Sequence, residues 1–258
     1  MTSPIWDPTQ YLRYAGHRLR PALDLLAQVD VAAPRRIHDV GCGTGQVTRM
    51  MANRWPTAEV VGSDESVEML AEAQRRGSRI QWRQLDVSEW NEPHQLDIIY
   101  SNAVLHWIPD HDELILRLLA SLRPGGQLAV QMPLSWYEPS HTLMRTILEE
   151  EQLGSTDLRR RYATPNVARP RHYADLLAKQ AATVNLWTTR YFQELHGPDP
   201  VLEWVSGTAL RPILEELEPG ELAVFLERYS VGLRAEYPRR DDDGTLFPFP
   251  RLFFVATA

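Results

Sequence analysis

From residue 36 onward, short apolar runs alternate with segments whose apolar positions recur every three or four residues. The runs at residues 37–40, 58–62, 80–85, 96–100 and 127–132 predict five strands. Between them the 3.6-residue period predicts helices. Residues 45–54 turn Val47, Met50 and Met51 inward, residues 66–75 Val67 and Leu70, and residues 111–122 Leu114, Ile115, Leu118 and Leu119. Arg123-Pro124-Gly125-Gly126 predicts a turn ahead of the fifth strand. Alternation of this kind means a mostly parallel sheet with helices on both faces. Upstream, residues 5–34 read as a helical preface, with Pro21 in a first-turn position and Ala22, Leu25, Leu26 and Val29 on one face. After Pro133 the rhythm breaks. Residues 140–151, 173–180 and 200–237 read as helical, residues 183–189 as β-like and residues 252–256 as a final strand. The expectation is an α/β fold forming one domain over residues 1–258. It holds a seven-stranded, doubly wound sheet, an N-terminal helical lid at about 5–34, and helical cap insertions at about 134–172 and 195–247.

Composition narrows this picture. At 258 residues, 43% of them hydrophobic, the chain is long enough for one large buried core. No apolar run approaches the roughly 18 to 20 residues of a membrane span, and the first residues lack the pattern of a signal peptide. A cytoplasmic protein with no membrane partner is therefore expected. Cys42 is the only cysteine and no His-Glu-x-x-His run occurs, so no metal is expected. The formal net charge of −7 argues against a nucleic-acid partner, which calls for a basic footprint. Any anionic ligand must be drawn by a local basic cluster. His17, Arg18 and Arg20 form one such turn, either merely solvated or part of a lid that also carries Tyr11 and Tyr14.

Candidate chemistry sits where ligands bind open α/β sheets, just beyond the carboxyl ends of the strands. Asp39, Asp64, Asp86 and Asn102 close the first four strands in turn. Gly41, Gly43 and Gly45 follow Asp39 and let the backbone approach a ligand closely. Asp64 is placed to accept from two ribose hydroxyls, Asp86 from an exocyclic adenine amine, and Val87 offers its backbone N–H to a ring nitrogen. This order of parts resembles the seven-stranded class I methyltransferases that use S-adenosylmethionine, whose first motif is an acidic residue followed by Gly-x-Gly-x-Gly. A dinucleotide-dependent oxidoreductase is the rival reading. Its Gly-x-Gly-x-x-Gly fingerprint would need glycine at Gln46, and Asp39 suits an ammonium group better than a pyrophosphate. Cys42 reads as a small loop side chain without a catalytic role.

A narrower resemblance runs nearly end to end. Trp6-Asp7-Pro8, Arg18-Leu19-Arg20-Pro21, Leu105-His106-Trp107-Ile108-Pro109-Asp110-His111, Val130-Gln131-Met132-Pro133, Trp187-Thr188-Thr189-Arg190-Tyr191, Gly207-Thr208-Ala209-Leu210-Arg211-Pro212 and Phe249-Pro250-Arg251-Leu252-Phe253 are similar to the trans-aconitate methyltransferases. Thr44 departs from that family, which carries proline there. The resemblance implies methyl transfer from S-adenosylmethionine to one carboxylate of a small polycarboxylate, leaving S-adenosylhomocysteine and a monomethyl ester. It implies cofactor contacts from Arg20, Asp39, Gly41, Cys42, Gly43, Asp64, Glu65, Met69, Asp86, Val87, Asn102 and His106. Substrate contacts fall to Trp107, Trp136, His141, Tyr191, His196, Arg211 and Arg251, with His106 and Trp107 near the methyl group and no certain catalytic base. Arg211 and Arg251 stand out because a guanidinium fork binds carboxylates bidentately. A methyltransferase acting on a different small molecule and, behind it, an NAD-dependent oxidoreductase stay open on the sequence, which is silent on oligomeric state.

Overall fold

The structure, a computed structural model, describes residues 15–75, 77, 79–91 and 95–258, with side chains from residue 19. Trp6, Asp7, Pro8, Tyr11 and Tyr14, with the side chains of His17 and Arg18, lie outside the described residues.

Seven strands form one sheet: β1 (Arg36–Val40), β2 (Glu59–Asp64), β3 (Gln81–Gln84), β4 (Leu96–Asn102), β5 (Leu122–Pro133), β6 (Thr183–Leu195) and β7 (Thr245–Thr257). Their spatial order is β3-β2-β1-β4-β5-β7-β6. Pairs β1–β2, β2–β3, β1–β4 and β4–β5 are parallel, and β5–β7 is antiparallel. The seven-stranded, mostly parallel sheet expected from the sequence is therefore present. Because β1 has β2 on one side and β4 on the other, the winding reverses there and opens a crevice at the carboxyl ends.

Helices α1 (Ala15–Ala27), α2 (Gln46–Arg54), α3 (Val67–Gln74) and α4 (Asp112–Ala120) lie among the first strands. The predicted faces of α1 and α4 are buried. Other positions differ. Pro21 lies inside α1, not in its first turn. In α2 the buried residues are Thr48, Met51 and Ala52, while Val47 and Met50 are half-buried. Val67 is exposed, since Leu70 and Ala73 already fill the inward face of α3. The turn predicted at residues 123–126 lies within β5, where Gly125 takes φ +79. Register steps from Leu96↔Leu122 to Ile98↔Gln127, so the extra residues form an irregularity within the strand. Gly125 N–H donates to Ala258 O and Ala258 N–H to Gly126 O, which ties this stretch to the end of β7.

The chain divides into two compact units. The sheet unit comprises Leu19–Pro133, Asn166–Thr189 and Arg251–Ala258 and includes α7 (Pro170–Leu177). Its central strand β4 is buried from Leu96 to Ser101, as a parallel strand covered on both faces must be. The Tyr100 hydroxyl donates to Ala22 O at 2.7 Å, which ties α1 to the sheet. The second, mainly helical unit comprises, among the described residues, 15–18, Leu134–Pro165 and Arg190–Pro250. It holds α5 (Pro139–Glu150), α6 (Thr156–Ala163), α8 (Pro200–Ser206), α9 (Arg211–Glu216) and α10 (Pro219–Glu236). There α10 is fastened to the start of α5 by Tyr229, whose hydroxyl donates to Ser140 O at 2.7 Å. Among the described residues no helix is long and apolar enough to cross a membrane, and no three His, Cys, Asp or Glu side chains gather as a metal-binding group.

Candidate active site at the carboxyl ends of the strands

The loop after β1 is fixed from both sides. Cys42 N–H donates to Ser63 O at 2.8 Å, and Gly43 N–H donates to Oδ2 of Asp64 at 2.8 Å. Gly45 has φ +70, and a Cβ there would stand 2.2 Å from the Trp82 ring, so only glycine fits. Gly43 differs, since nothing lies within 4 Å of where its Cβ would be. The loop thus packs on protein at Gly45 and is open at Gly43. Asp64 also accepts from Ser66 N–H through Oδ1 at 3.0 Å, so backbone donors orient both its oxygens and each keeps a lone pair for a ligand.

Asp39 is buried, and the one hydrogen bond to its carboxylate among the described residues comes from the Thr48 hydroxyl at 2.6 Å. Burial pushes its carboxyl up to about 7; the Thr48 bond opposes that rise and the charge of Asp64 adds to it. Asp97, at the opposite end of the sheet, is also buried but fully served. It accepts from the backbone N–H groups of Arg35 and Arg36, each at 2.8 Å, and from Arg123. Burial acts to raise Asp97, yet these donors hold it below the usual carboxylate range. The acid beside the crevice therefore lacks the donors that a buried carboxylate ordinarily has, and a cationic ligand would supply them.

Asp86 is exposed and accepts from Ser88 N–H at 2.8 Å, capping the turn Val87–Glu89 in which Val87 is buried. Ser66 caps α3 through Met69 N–H, leaving Glu65 exposed and Met69 half-buried. Arg20 is exposed on α1. Burial pushes the Cys42 thiol far up, so it is no thiolate.

Beyond β4, Ala103 has φ +58, and its N–H donates to Gln131 O at 2.9 Å, so the chain turns sharply into Leu105–Trp107. That turn is held in place. Asn166 donates to His106 O at 3.0 Å, and Nδ1 of His111 lies 3.2 Å from Ile108 O. A carbonyl only accepts, so Nδ1 carries the proton; with the ring neutral, Nε2 accepts from the Tyr173 hydroxyl at 2.8 Å. The same hydroxyl oxygen accepts from Ala168 N–H at 3.1 Å. His106 itself is depressed to about 3, chiefly by burial and then by the charge of Arg251. It is a neutral imidazole at physiological pH. Trp107 is exposed, with its ring 4.6 Å from that of His106.

Buried polar atoms without a hydrogen-bond partner among the described residues gather here. They include Oδ1 of Asn102, Nδ1 of His106 and Nε2 of Gln131. Buried polar groups are nearly always hydrogen-bonded, so a cluster of exceptions points to a polar ligand. Gln131 is the functional candidate that sequence reading missed. Its signal was one amide within the apolar run Leu128-Ala129-Val130-Gln131-Met132.

The helical unit holds its candidates differently. The Arg145 guanidinium lies 5.5 Å over the Trp136 ring, and His141 is 3.1 Å from Oγ of Ser140. Tyr191 is buried, His196 is exposed and 4.0 Å from Glu194, and Arg211 pairs with Glu215 at 2.6 Å. Arg251 belongs instead to the sheet unit, buried opposite Pro133.

Comparison with known proteins agrees with the fold. A putative methyltransferase from Bacillus halodurans superposes with a TM-score of 0.61 at 14% identity, covering 91% of this chain and 97% of that one. Haemonchus contortus phosphoethanolamine N-methyltransferase 2, in complex with S-adenosyl-L-methionine, gives 0.54 at 17% identity, covering 92% of this chain and 52% of that one. The methyltransferase domain family matches residues 37–126. The trans-aconitate 2-methyltransferase of Azoarcus sp. (strain BH72) is 44% identical over 253 residues, covering 98% of this chain and 99% of the relative. The chain belongs to the trans-aconitate 2-methyltransferase family. Another trans-aconitate 2-methyltransferase, of Methylobacterium nodulans, is 44% identical over 251 residues, covering 97% of both chains. Similarity to the trans-aconitate 2-methyltransferases thus spans both units, including the helical one, which the methyltransferase domain match at residues 37–126 does not reach.

Proposed function

We propose that the protein esterifies one carboxylate of trans-aconitate, or of a closely related small polycarboxylate, with a methyl group from S-adenosylmethionine. The observation that carries the reading is the end-to-end likeness to trans-aconitate 2-methyltransferases, in a chain whose strand ends gather buried polar groups suited to a charged ligand. When bound, the sulfonium of the cofactor supplies the methyl group. Asp39 suits its ammonium group, because a cation beside a buried carboxylate restores the charged form. Asp64 offers lone pairs to ribose hydroxyls, and Gly43 leaves the loop open on that side. Asp86 and Val87 serve the adenine, and Asn102 serves the methionine part through its amide.

The acceptor needs no base, since a carboxylate with an ordinary pKa of about 4 is ionised at neutral pH. Neutral His106 therefore has no proton to remove, and its role is to line the site. Catalysis is positioning. Cation and anion lose charge together as the methyl passes, so a dry site that holds them in line favours the transition state. Arg251, buried and with a charge that reaches His106, is the first cation for the acceptor, and Arg211 the second candidate.

The test is incubation with methyl-labelled S-adenosylmethionine and a panel of di- and tricarboxylates. Label in a monomethyl ester of trans-aconitate is expected; label in no carboxylate would overturn the reading. Because a ligand that binds the native state stabilises it, S-adenosylhomocysteine should raise Tm and NAD should not.

A further inference from the structure

Side chains alternate across a sheet, and cross-strand partners share a face. Asn102 on β4 is in register with Gln131 on β5, and Gln131 with Phe253 on β7. Arg251 stands two residues before Phe253, on the same face. Asp39 joins them, because it is in register with Tyr100, two residues before Asn102. One face of the sheet therefore presents, from β1 across to β7, Asp39, Asn102, Gln131 and Arg251. Ser101 points to the opposite face.

Gln131 is 1% exposed, and Nε2 of its amide has no hydrogen-bond partner among the described residues. Its register neighbour Asn102 presents an equally unserved acceptor, Oδ1, yet the two amides do not bond. The polarities divide the face. Asn102 offers an acceptor beside Asp39, on the side fit for an ammonium group. Gln131 offers a donor on the side of Arg251, fit for an anionic oxygen.

We infer that Gln131 is a specificity residue whose buried amide donates to a carboxylate of the methyl acceptor, next to the guanidinium of Arg251. The inference rests on the proposed transfer to a polycarboxylate. It assigns the acceptor to the β5–β7 side of the face, while the acids that serve the methyl donor end β1, β2 and β3. A neutral donor beside a fixed cation suits an acceptor that must release charge during the reaction. A second cation in that place would hold the carboxylate too firmly in its ionised state.

The experiment is calorimetric titration of trans-aconitate into the protein saturated with S-adenosylhomocysteine, with steady-state kinetics alongside. Gln131→Met keeps length and removes the donor; Gln131→Glu keeps shape and opposes the acceptor's charge. Loss of a hydrogen bond to a charged group predicts a Kd and KM for trans-aconitate about 10- to 100-fold higher in Gln131→Met. Gln131→Glu should weaken binding further, with the Kd of S-adenosylhomocysteine within about twofold of wild type in both variants. That last Kd also reports that each variant is folded. Unchanged trans-aconitate binding in both variants would overturn the inference and make the amide structural. Equal weakening of S-adenosylhomocysteine and trans-aconitate would overturn it too, by moving Gln131 to the donor site. If wild type binds no di- or tricarboxylate, the proposed function fails along with it.

Discussion

In the helical unit, arginines meet carboxylates at the surface. Arg161 pairs with Glu216 at 2.5 Å, Arg228 with Glu150 at 2.8 Å, Arg234 with Asp199 at 2.7 Å and Arg211 with Glu215 at 2.6 Å. In the sheet unit several polar atoms near the crevice are buried, and some, such as Nε2 of Gln131 and Oδ1 of Asn102, have no hydrogen-bond partner among the described residues. Exposed pairs cancel one another in high dielectric and add little stability. Buried groups without partners cost stability, and a fold keeps such a cost where a ligand repays it. The contrast separates two arginines that look alike in sequence. The Arg211 side chain is 30% exposed and already neutralised by Glu215, whereas Arg251 is 8% exposed and its charge reaches His106.

If the contrast is right, removing Arg251 does the most damage. Arg251→Ala is expected to lower kcat/KM for the acceptor roughly a hundredfold or more, as loss of a buried charged partner does. Arg211→Ala should stay within about threefold of wild type in the same assay.

Asp39→Asn sharpens the comparison from the side of stability. The Asp39 carboxyl titrates near 7 in the fold and near 4 in the unfolded chain. Between these values the unfolded chain gives up its proton first, so the carboxylate's penalty on the fold grows as pH rises from about 4 and levels off above 7. Asp39→Asn removes that penalty. It should raise the Tm of the ligand-free protein by several degrees at pH 8, with no gain at pH 4. Affinity for S-adenosylhomocysteine should fall about 10- to 100-fold, which thermal shift and calorimetry would show.

Tyr173→Phe probes the turn that carries His106. It strips partners from His111 and from Ala168 N–H at once, for an expected loss of about 2 kcal/mol in urea unfolding. Arg161→Ala, in the helical unit, should cost about 1 kcal/mol or less. A larger loss there would break the comparison, because it would show a surface pair that matters.

Much of the sheet was legible because parallel strands buried on both faces read as unbroken apolar runs, as in β4. The strand-end positions of Asp39, Asp64, Asp86 and Asn102 followed from the same runs. Local signals failed where long-range pairing won. Pro124-Gly125-Gly126 carries turn chemistry, yet it makes an irregularity within β5 and ends no strand, because Ala258 bonds to Gly125 and Gly126. Val67 fits a helical period, but Leu70 and Ala73 fill the inward face. Gln131 could not be singled out, since its place beside Asn102 and Arg251 depends on register between strands far apart in the chain. Nor could Arg251 be ranked above Arg211. Each follows the same local grammar of proline and apolar neighbours, and only burial tells them apart.

The central claim is that the buried face of the sheet unit, not the paired surface of the helical unit, recognises the acceptor's charge. Calorimetric titration of trans-aconitate into wild type, Arg251→Ala and Arg211→Ala, each saturated with S-adenosylhomocysteine, tests it most directly. The account predicts that Arg251→Ala abolishes or weakens binding by roughly a hundredfold while Arg211→Ala binds like wild type. The reverse order, or two unchanged isotherms, would contradict it.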